Sequence, residues 1–496
     1  MTLTRRAVMA GLLGAAARPL WGQETAALDG LAPLTSLRPQ PRPERGSGAQ
    51  AEALIRAAKL GGEVSFAVAR LGETALLAER HADTAMPPAS VAKVVTTLYA
   101  LEKLGPEHRF ETRVMRIGPV TKGRLDGDLV LVGGGDPNLD SDQLGDLVAA
   151  LAATGLRQVT GRFVLVDGAV PYRERLVRDQ PEQVGYNPAL SGLILNYNRV
   201  HFEWAKAGSG WTTALDARGE RFRPPVSTAQ VTIAARDLPI FTYQRADDRD
   251  LWTVAQTALN DAGSRWIPVR DPSAYVGEAF AALARAQGIA LPKPTRLRDL
   301  PEGAREIVAH RGDALAAVLK DMLRYSTNLT AEVVGLTASQ AGTLEGSGAA
   351  MTVWARRELG VGISLHDHSG LNSANRVTAR DMLALLQRAK GQRHGGLLEN
   401  LMRETGLADT DGAEQKAAAT RVHAKSGTMN FVSALAGYVR DAQDQALTFA
   451  MFSGDVPRRE AVPVDLREDP EGAGPWVKRA RRMQGQVIAS WAKAYL

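Results

Sequence analysis

Two kinds of apolar pattern alternate along this chain. From Val91 to Leu104, the residues Val91, Val94, Val95, Leu98, Leu101 and Leu104 recur at the interval that lines one side of a helix. Leu315, Val318, Leu319, Met322 and Leu323 repeat that spacing, and Leu329 to Leu336 and Tyr275 to Gln287 read as helical too. Between them lie shorter apolar runs: Gly127 to Val132, Gly161 to Val166, Val200 to Trp204 and Gln230 to Ala234. These are too short for helices, so they predict strands. A last pair, Ala424 to Thr428 and Ala434 to Val439, predicts a hairpin. The pattern is a helix-rich frame interrupted by a strand-rich stretch, which we place at 111–270.

The two ends of the chain are different again. Arg5-Arg6 precede a run of small apolar residues, Ala7 to Ala17, and then Pro19-Leu20-Trp21-Gly22. A charged start, a short apolar centre and a small-residue exit make an export signal, here over 1–22. The paired arginines allow twin-arginine export, and the general secretory route stays open. The apolar run is too short to predict a membrane span. Residues 23–50, rich in Pro, Arg and Gly, read as a loose lead-in. Trp476 to Leu496 carries Lys478, Arg479, Arg481 and Arg482. A terminal helix packed on the domain is expected there, with an amphipathic anchor giving weak surface association as the alternative.

Composition narrows the chemistry. With no cysteine among 496 residues, disulfides, thiol catalysis and cysteine-ligated metals are excluded. A chain of this size buries enough core without them. The net charge of +6 includes Arg5, Arg6 and Arg18, which would leave with a cleaved leader. The mild excess that remains suits an anionic polymer and is no sign of nucleic-acid binding.

Three short motifs supply the candidate chemistry: Ser90-Val91-Ala92-Lys93, Ser326-Thr327-Asn328 and Lys425-Ser426-Gly427-Thr428. Pro87 and Pro88 disfavour helix before Ser90 and tolerate a helix start just after it. That places Ser90 near a helix N-terminus, where developing negative charge is favoured. Lys93, three residues on, lies on the same face. A neutral lysine there takes the serine proton, provided its pKa falls from about 10.4 through burial or a second cation. Lys425 is the candidate second cation. Ser326 and Asn328 fall at a junction between two helices, where Ser326 relays a proton and Asn328 holds substrate and Lys93. Lys425, Ser426 and Thr428 offer a cation and two hydroxyls on a strand, and Gly427 leaves room for a substrate backbone. Backbone N–H groups of Ser90 and of this strand would form an oxyanion hole. Each motif alone is an ordinary cap or turn. Ser490-Trp491-Ala492-Lys493 and Ser373-Ala374-Asn375 match two of the patterns in the wrong context. Order and context therefore carry the assignment.

With these motifs in this order, the chain resembles the low-molecular-mass penicillin-binding proteins of the D-alanyl-D-alanine carboxypeptidase/endopeptidase type, a group of serine peptidases whose Ser-x-x-Lys and Lys-Thr-Gly signatures are well established. Gly127-Asp128-Leu129-Val130-Leu131-Val132-Gly133-Gly134-Gly135-Asp136-Pro137, Asp367-His368-Ser369-Gly370-Leu371 and Asn375-Arg376-Val377-Thr378 extend the likeness over nearly the whole chain. Ser426 stands where the family usually has threonine, and His368 where it usually has glycine. The second change is expected to reshape the cleft rim or alter substrate preference. The resemblance implies an α/β (α+β) fold, with a penicillin-binding transpeptidase or serine β-lactamase-like catalytic domain at 23–110 and 271–496. It also implies a β-rich domain inserted between the first two motifs, of one or two modules. Serine β-lactamases carry a similar trio with a much shorter first gap than the one between Ser90 and Ser326.

The resemblance further implies a periplasmic enzyme without cofactor or metal. Its partners would be peptidoglycan stem peptides, with β-lactam antibiotics as covalent inhibitors. Two other classes compete. His366 and His368 suggest a zinc D,D-peptidase, but no His-Glu-x-x-His occurs. A non-catalytic wall-binding or penicillin-sensing protein would keep the fold without needing the intact trio.

Overall fold

The two ends of the described chain build one six-stranded sheet. The computed structural model describes residues 46–405 and 420–496. The expected leader at 1–22 and most of the lead-in lie outside them. The strand order is Arg403–Thr405, Arg421–Met429, Val432–Arg440, Ala446–Gly454, Glu63–Arg70 and Leu76–Arg80. Every neighbouring pair is antiparallel.

Side chains alternate between the faces of this sheet. Val64, Phe66 and Val68 pack with Trp476, Val487 and Trp491 of the terminal helix Ala473–Tyr495 and with Ala51 of the helix Gly46–Ala58. The other face is lined by smaller residues, among them Ala67, Ala69, Ala434, Ala436 and Ala450. These let the helices Ala92–Leu104, Asn328–Ser339, Leu344–Leu359 and Ala379–Ala389 settle into one large core against the sheet. Trp476 and Trp491 are fully buried, so the basic C-terminal stretch is a packed helix. Within it Ser490 donates to the Val487 carbonyl at 2.7 Å, which disposes of the second Ser-x-x-Lys match.

A five-stranded mixed sheet follows the order Pro294–Leu297, Phe163–Val166, Asp128–Gly133, Arg109–Ile117, Arg305–Ala314. Asp128–Gly133 and Phe163–Val166 run parallel. Leu129, Leu131, Phe163 and Leu165 meet the helices Ser141–Ala153 and Pro272–Ala286. Val130, Val132, Val164 and Val166 form a cluster on the opposite side. Burial on both faces explains why these strands read as unbroken apolar runs. A small three-stranded sheet of Val120–Thr121, Arg124–Leu125 and Gln158–Val159 flanks the five-stranded one, and two larger three-stranded sheets complete the region. One is Gly210–Asp216, Arg199–Ala207 and Ala262–Pro268; the other is Ala229–Ala234, Arg249–Ala255 and Phe241–Ala246. The apolar pattern does not mark Arg305–Ala314, because this edge strand is only partly buried and alternates little. Its end passes directly into the helix Leu315–Tyr325, which carries the chain back to the six-stranded sheet and the second motif.

Candidate active site

Ser90 occupies a tight turn, Ala89–Val91, that leads into the helix Ala92–Leu104. Met86 bridges to Val377 just before the two prolines, and the apolar stripe after Ser90 drives the helix into the core. Lys93 sits in the first turn of that helix and is fully buried. Its ammonium donates to Ser90 Oγ at 3.0 Å, to Asn328 Oδ1 at 2.8 Å and to the Ser369 carbonyl at 2.7 Å.

The second motif breaks one helix and starts the next. Ser326 ends Leu315–Tyr325 with φ of 59°, and Asn328 begins Asn328–Ser339. A left-handed serine costs on the order of 1 kcal/mol, and strain of this kind gathers at functional sites. What holds it is Lys425, whose ammonium donates to Ser326 Oγ at 3.0 Å and to the Ser426 carbonyl at 2.7 Å. Asn328 faces two ways: its Oδ1 takes Lys93, and its Nδ2 donates to the Tyr186 carbonyl at 3.0 Å. Through that bond the stretch before the strand Arg199–Ala207 reaches the site.

The third motif lies on Arg421–Met429, which pairs with Val432–Arg440 through a two-residue turn. On its other side, Arg403–Thr405 reaches only as far as Ala424. Among the described residues, Lys425 to Met429 therefore leave one strand edge open toward Ser90. In a ladder closed by Met429 and Val432, the alternation turns the N–H and C=O of Ser426 and Thr428 outward to that edge. Gly427 is required by proximity: a Cβ there would lie 2.7 Å from the Pro88 carbonyl and 2.9 Å from the Ser90 nitrogen.

The cleft over these groups has a volume of about 580 Å³, and Ser90, Ser326, Asn328 and Thr428 line it. Lys93 and Lys425 sit beneath its floor. Ser426 is exposed and lies outside the lining, so it joins the site through its carbonyl.

Burial brings Lys93 down to about 8, against the carboxylates of Glu332 and Asp367, which favour its charged form. Lys425 falls to about 7, through burial first and the like charge of Lys93 second. This differs from the expectation that Lys425 would depress Lys93. At Lys93 burial is the main cause of the fall, and the two carboxylates behind it oppose that fall.

Those carboxylates belong to residues to which sequence reasoning gave no role. Glu332 is fully buried and accepts the N–H groups of His368 at 2.9 Å and Ser369 at 3.0 Å. Burial and Asp367 raise its proton affinity. Asp367 accepts the N–H of Gly370 at 2.9 Å and of Asn372 at 2.7 Å, and the Asn375 amide at 2.7 Å. Together they fix the loop whose Ser369 carbonyl holds Lys93. The available signal was a glutamate four residues after Asn328, inside an otherwise apolar helix.

His368 is not at the rim. It is fully buried, with Nε2 2.6 Å from Ser347 Oγ and its ring stacked on Tyr99 at 6.5 Å between centroids. Burial lowers it to about 3. His366 is exposed, so the two imidazoles do not converge and the zinc arrangement has no geometry to support it. Ser373 belongs to an irregular segment, Leu371 to Asn375, with no helix on either side.

Comparison with known proteins places this geometry. The family model described as "D-Ala-D-Ala carboxypeptidase 3 (S13) family" matches residues 48–469. A D-alanyl-D-alanine carboxypeptidase of Actinomadura sp. (strain R39) is 29% identical over 94% of this chain and 94% of its own length. The crystal structure of penicillin binding protein 4 (dacB) from Haemophilus influenzae superposes with a TM-score of 0.68, at 20% identity over 82% of this chain and 93% of that one. A second structure of that protein, complexed with a β-lactam, gives 0.65 at 21% identity, over 82% and 92% of the two chains. The α/β architecture is thus that of penicillin binding protein 4, with several sheets beyond the six-stranded one.

Proposed function

Because the chain belongs to the D-Ala-D-Ala carboxypeptidase 3 (S13) family of serine-type peptidases, we propose that Ser90 is its nucleophile and that it cleaves peptidoglycan stem peptides through an acyl-enzyme. Ser90 Oγ attacks the carbonyl between two terminal D-alanines while its proton passes to neutral Lys93. The C–N bond then breaks. The departing amine receives a proton through Ser326, which Lys425 orients, and D-alanine leaves. Water hydrolyses the ester on Ser90 and restores the hydroxyl. Outward N–H groups of Ser90 and Thr428 hold the oxyanion. The Thr428 hydroxyl faces the substrate's terminal carboxylate from the cleft lining, with Lys425 beneath it.

One observation carries this reading: Ser90 Oγ lies 3.0 Å from a buried lysine amine, under a cleft that Ser326 and Asn328 also line. The Haemophilus influenzae protein has been solved with a β-lactam; here a β-lactam acylates Ser90 and remains. A D,D-endopeptidase cut of crosslinks uses the same atoms. The work is done in the periplasm after removal of 1–22. No helix among the described residues is long and apolar enough to cross a membrane. The catalytic domain comprises the six-stranded sheet and its helices. The inserted region carries the other sheets; its last strand is Arg305–Ala314, beyond the 270 boundary.

Labelling with a fluorescent penicillin tests the assignment. Ser90→Ala is expected to abolish the label and to cut peptide turnover by roughly 10³-fold or more. Label retained by a folded S90A protein ends it.

A further inference from the structure

The carboxylate on the released residue lies two bonds from the scissile nitrogen, so it must enter the cleft beside Ser90. A carboxylate leaving water needs a partner of opposite charge. The third motif is poorly supplied with one. Lys425 already donates to Ser326 and Ser426, and burial holds it near 7; Thr428 is neutral.

The terminal helix Ala473–Tyr495 supplies the missing charge. Arg481 Nη2 donates to Thr428 Oγ1 at 2.8 Å, and Arg481 lines the same cleft as Ser90. Its placement is built in. Gln484, one turn further along, binds Ser433 twice: it accepts from Ser433 Oγ at 2.9 Å and donates to its carbonyl at 3.1 Å. Ser433 is the cross-strand partner of Thr428. The helix is therefore pinned in register with the strand, and Arg481 falls on the threonine. Lys478, one turn earlier, lines the cleft as well. A guanidinium keeps its charge at every working pH and presents donors in a fork that matches a carboxylate.

We propose that Arg481 is a specificity-determining residue, which with the Thr428 hydroxyl receives the free carboxylate of the residue the enzyme releases. This rests on the acyl-transfer reading above. It gives the basic C-terminal helix a role inside the cleft, and it makes the free acid the preferred substrate over any uncharged ending.

The test compares two synthetic stem peptides, one ending in D-Ala-D-Ala and one with the same ending as a carboxamide, by kcat/KM on the full chain. Arg481→Ala is expected to lower the acid-to-amide ratio on the order of 10- to 100-fold, and Arg481→Lys to restore part of it. Lys478→Ala, which lacks a bond to Thr428, should change the ratio less. If R481A melts early, Arg481→Gln, with a donor but no charge, gives the same readout. A parental ratio preserved in R481A or R481Q, whatever happens to the separate rates, overturns the assignment. A parent protein that cleaves neither peptide and takes no penicillin label at Ser90 instead overturns the peptidase reading, and this inference with it.

Discussion

The site contains two serine–lysine pairs with the same 3.0 Å separation and opposite origins. Ser90 and Lys93 are neighbours on one helical turn, so their distance is set by local backbone geometry. Ser326 and Lys425 come from a helix junction and a strand edge about a hundred residues apart, so only tertiary packing brings them together. Their surroundings differ as well. Lys93 has three acceptors and two buried carboxylates behind it, whereas Lys425 has two acceptors and Lys93 as a like-charged neighbour. One pair is locally made and electrostatically supported. The other is remotely made, with a like charge beside it and no carboxylate among the causes of its shift. Proximity of serine to lysine therefore does not by itself distinguish the two pairs.

Removing each amine should separate the pairs most strongly. Lys93→Ala is expected to slow acylation by a penicillin by roughly 10³-fold, in the middle of the range for loss of a positioned base. Lys425→Ala, which removes a charged hydrogen bond to Ser326, should cost about 10- to 100-fold. The pH profile sharpens the contrast. Lys93 must be neutral to accept the proton, so acylation rises as pH passes about 8. Burial, rather than Lys425, is its main depressant, so the midpoint in K425A should stay near that value. A midpoint displaced clearly upward would mean that the second cation does the tuning after all. A K425A loss as large as that of K93A would erase the distinction between the pairs.

A smaller effect is expected where the two sides touch. Gly427→Ala would put a methyl 2.7 Å from the Pro88 carbonyl and 2.9 Å from the Ser90 nitrogen, both backbone atoms that cannot swing aside. The strand edge must then retreat from the nucleophile turn. A displacement of about 1 Å is enough for a roughly 10²-fold loss of acylation, while the overpacking itself costs about 1–3 kcal/mol. Acylation kinetics together with a urea midpoint distinguish the outcomes. Full activity with reduced stability would show that Gly427 serves folding and not the alignment of Ser90 with Thr428.

The sequence disclosed the members of both pairs, though not the contact between Ser326 and Lys425. Ser90, Lys93, Ser326, Asn328 and Lys425 are short-range motifs on elements whose periodicity is strong, so both chemistry and helix boundaries could be read. The parallel strands Asp128–Gly133 and Phe163–Val166 also announced themselves, because burial on both faces leaves continuous apolar runs. Glu63–Arg70 did not: its catalytic-side positions are Ser65, Ala67 and Ala69, too small to make a pattern. Arg305–Ala314 was hidden by partial exposure. Glu332 and Asp367 gave little local sign of a role, since each acts through backbone N–H groups of the loop it holds. A glutamate within an apolar helix marks a buried charge only when the loop it clamps is known.

His368 is the clearest case of a residue whose meaning required its neighbour, and it gives the smallest and most specific prediction. Where the resemblance expects glycine, this chain has a buried imidazole, and across from it, on Asn328–Ser339, stands Gly335. A Cβ at Gly335 would overlap the ring of His368. In an exposed helix interior, glycine to alanine gains up to about 1 kcal/mol; here Gly335→Ala is expected to lose about 1–3 kcal/mol by overpacking. The double variant Gly335→Ala/His368→Gly should recover most of that loss, because it moves the bulk from the loop to the helix. A double-mutant cycle in urea measures the coupling. Near-additive losses would mean that glycine and histidine are independent. Strong coupling would show that the imidazole behind Lys93 is accommodated by the helix that carries Asn328, and that the locally made pair is supported from across the core.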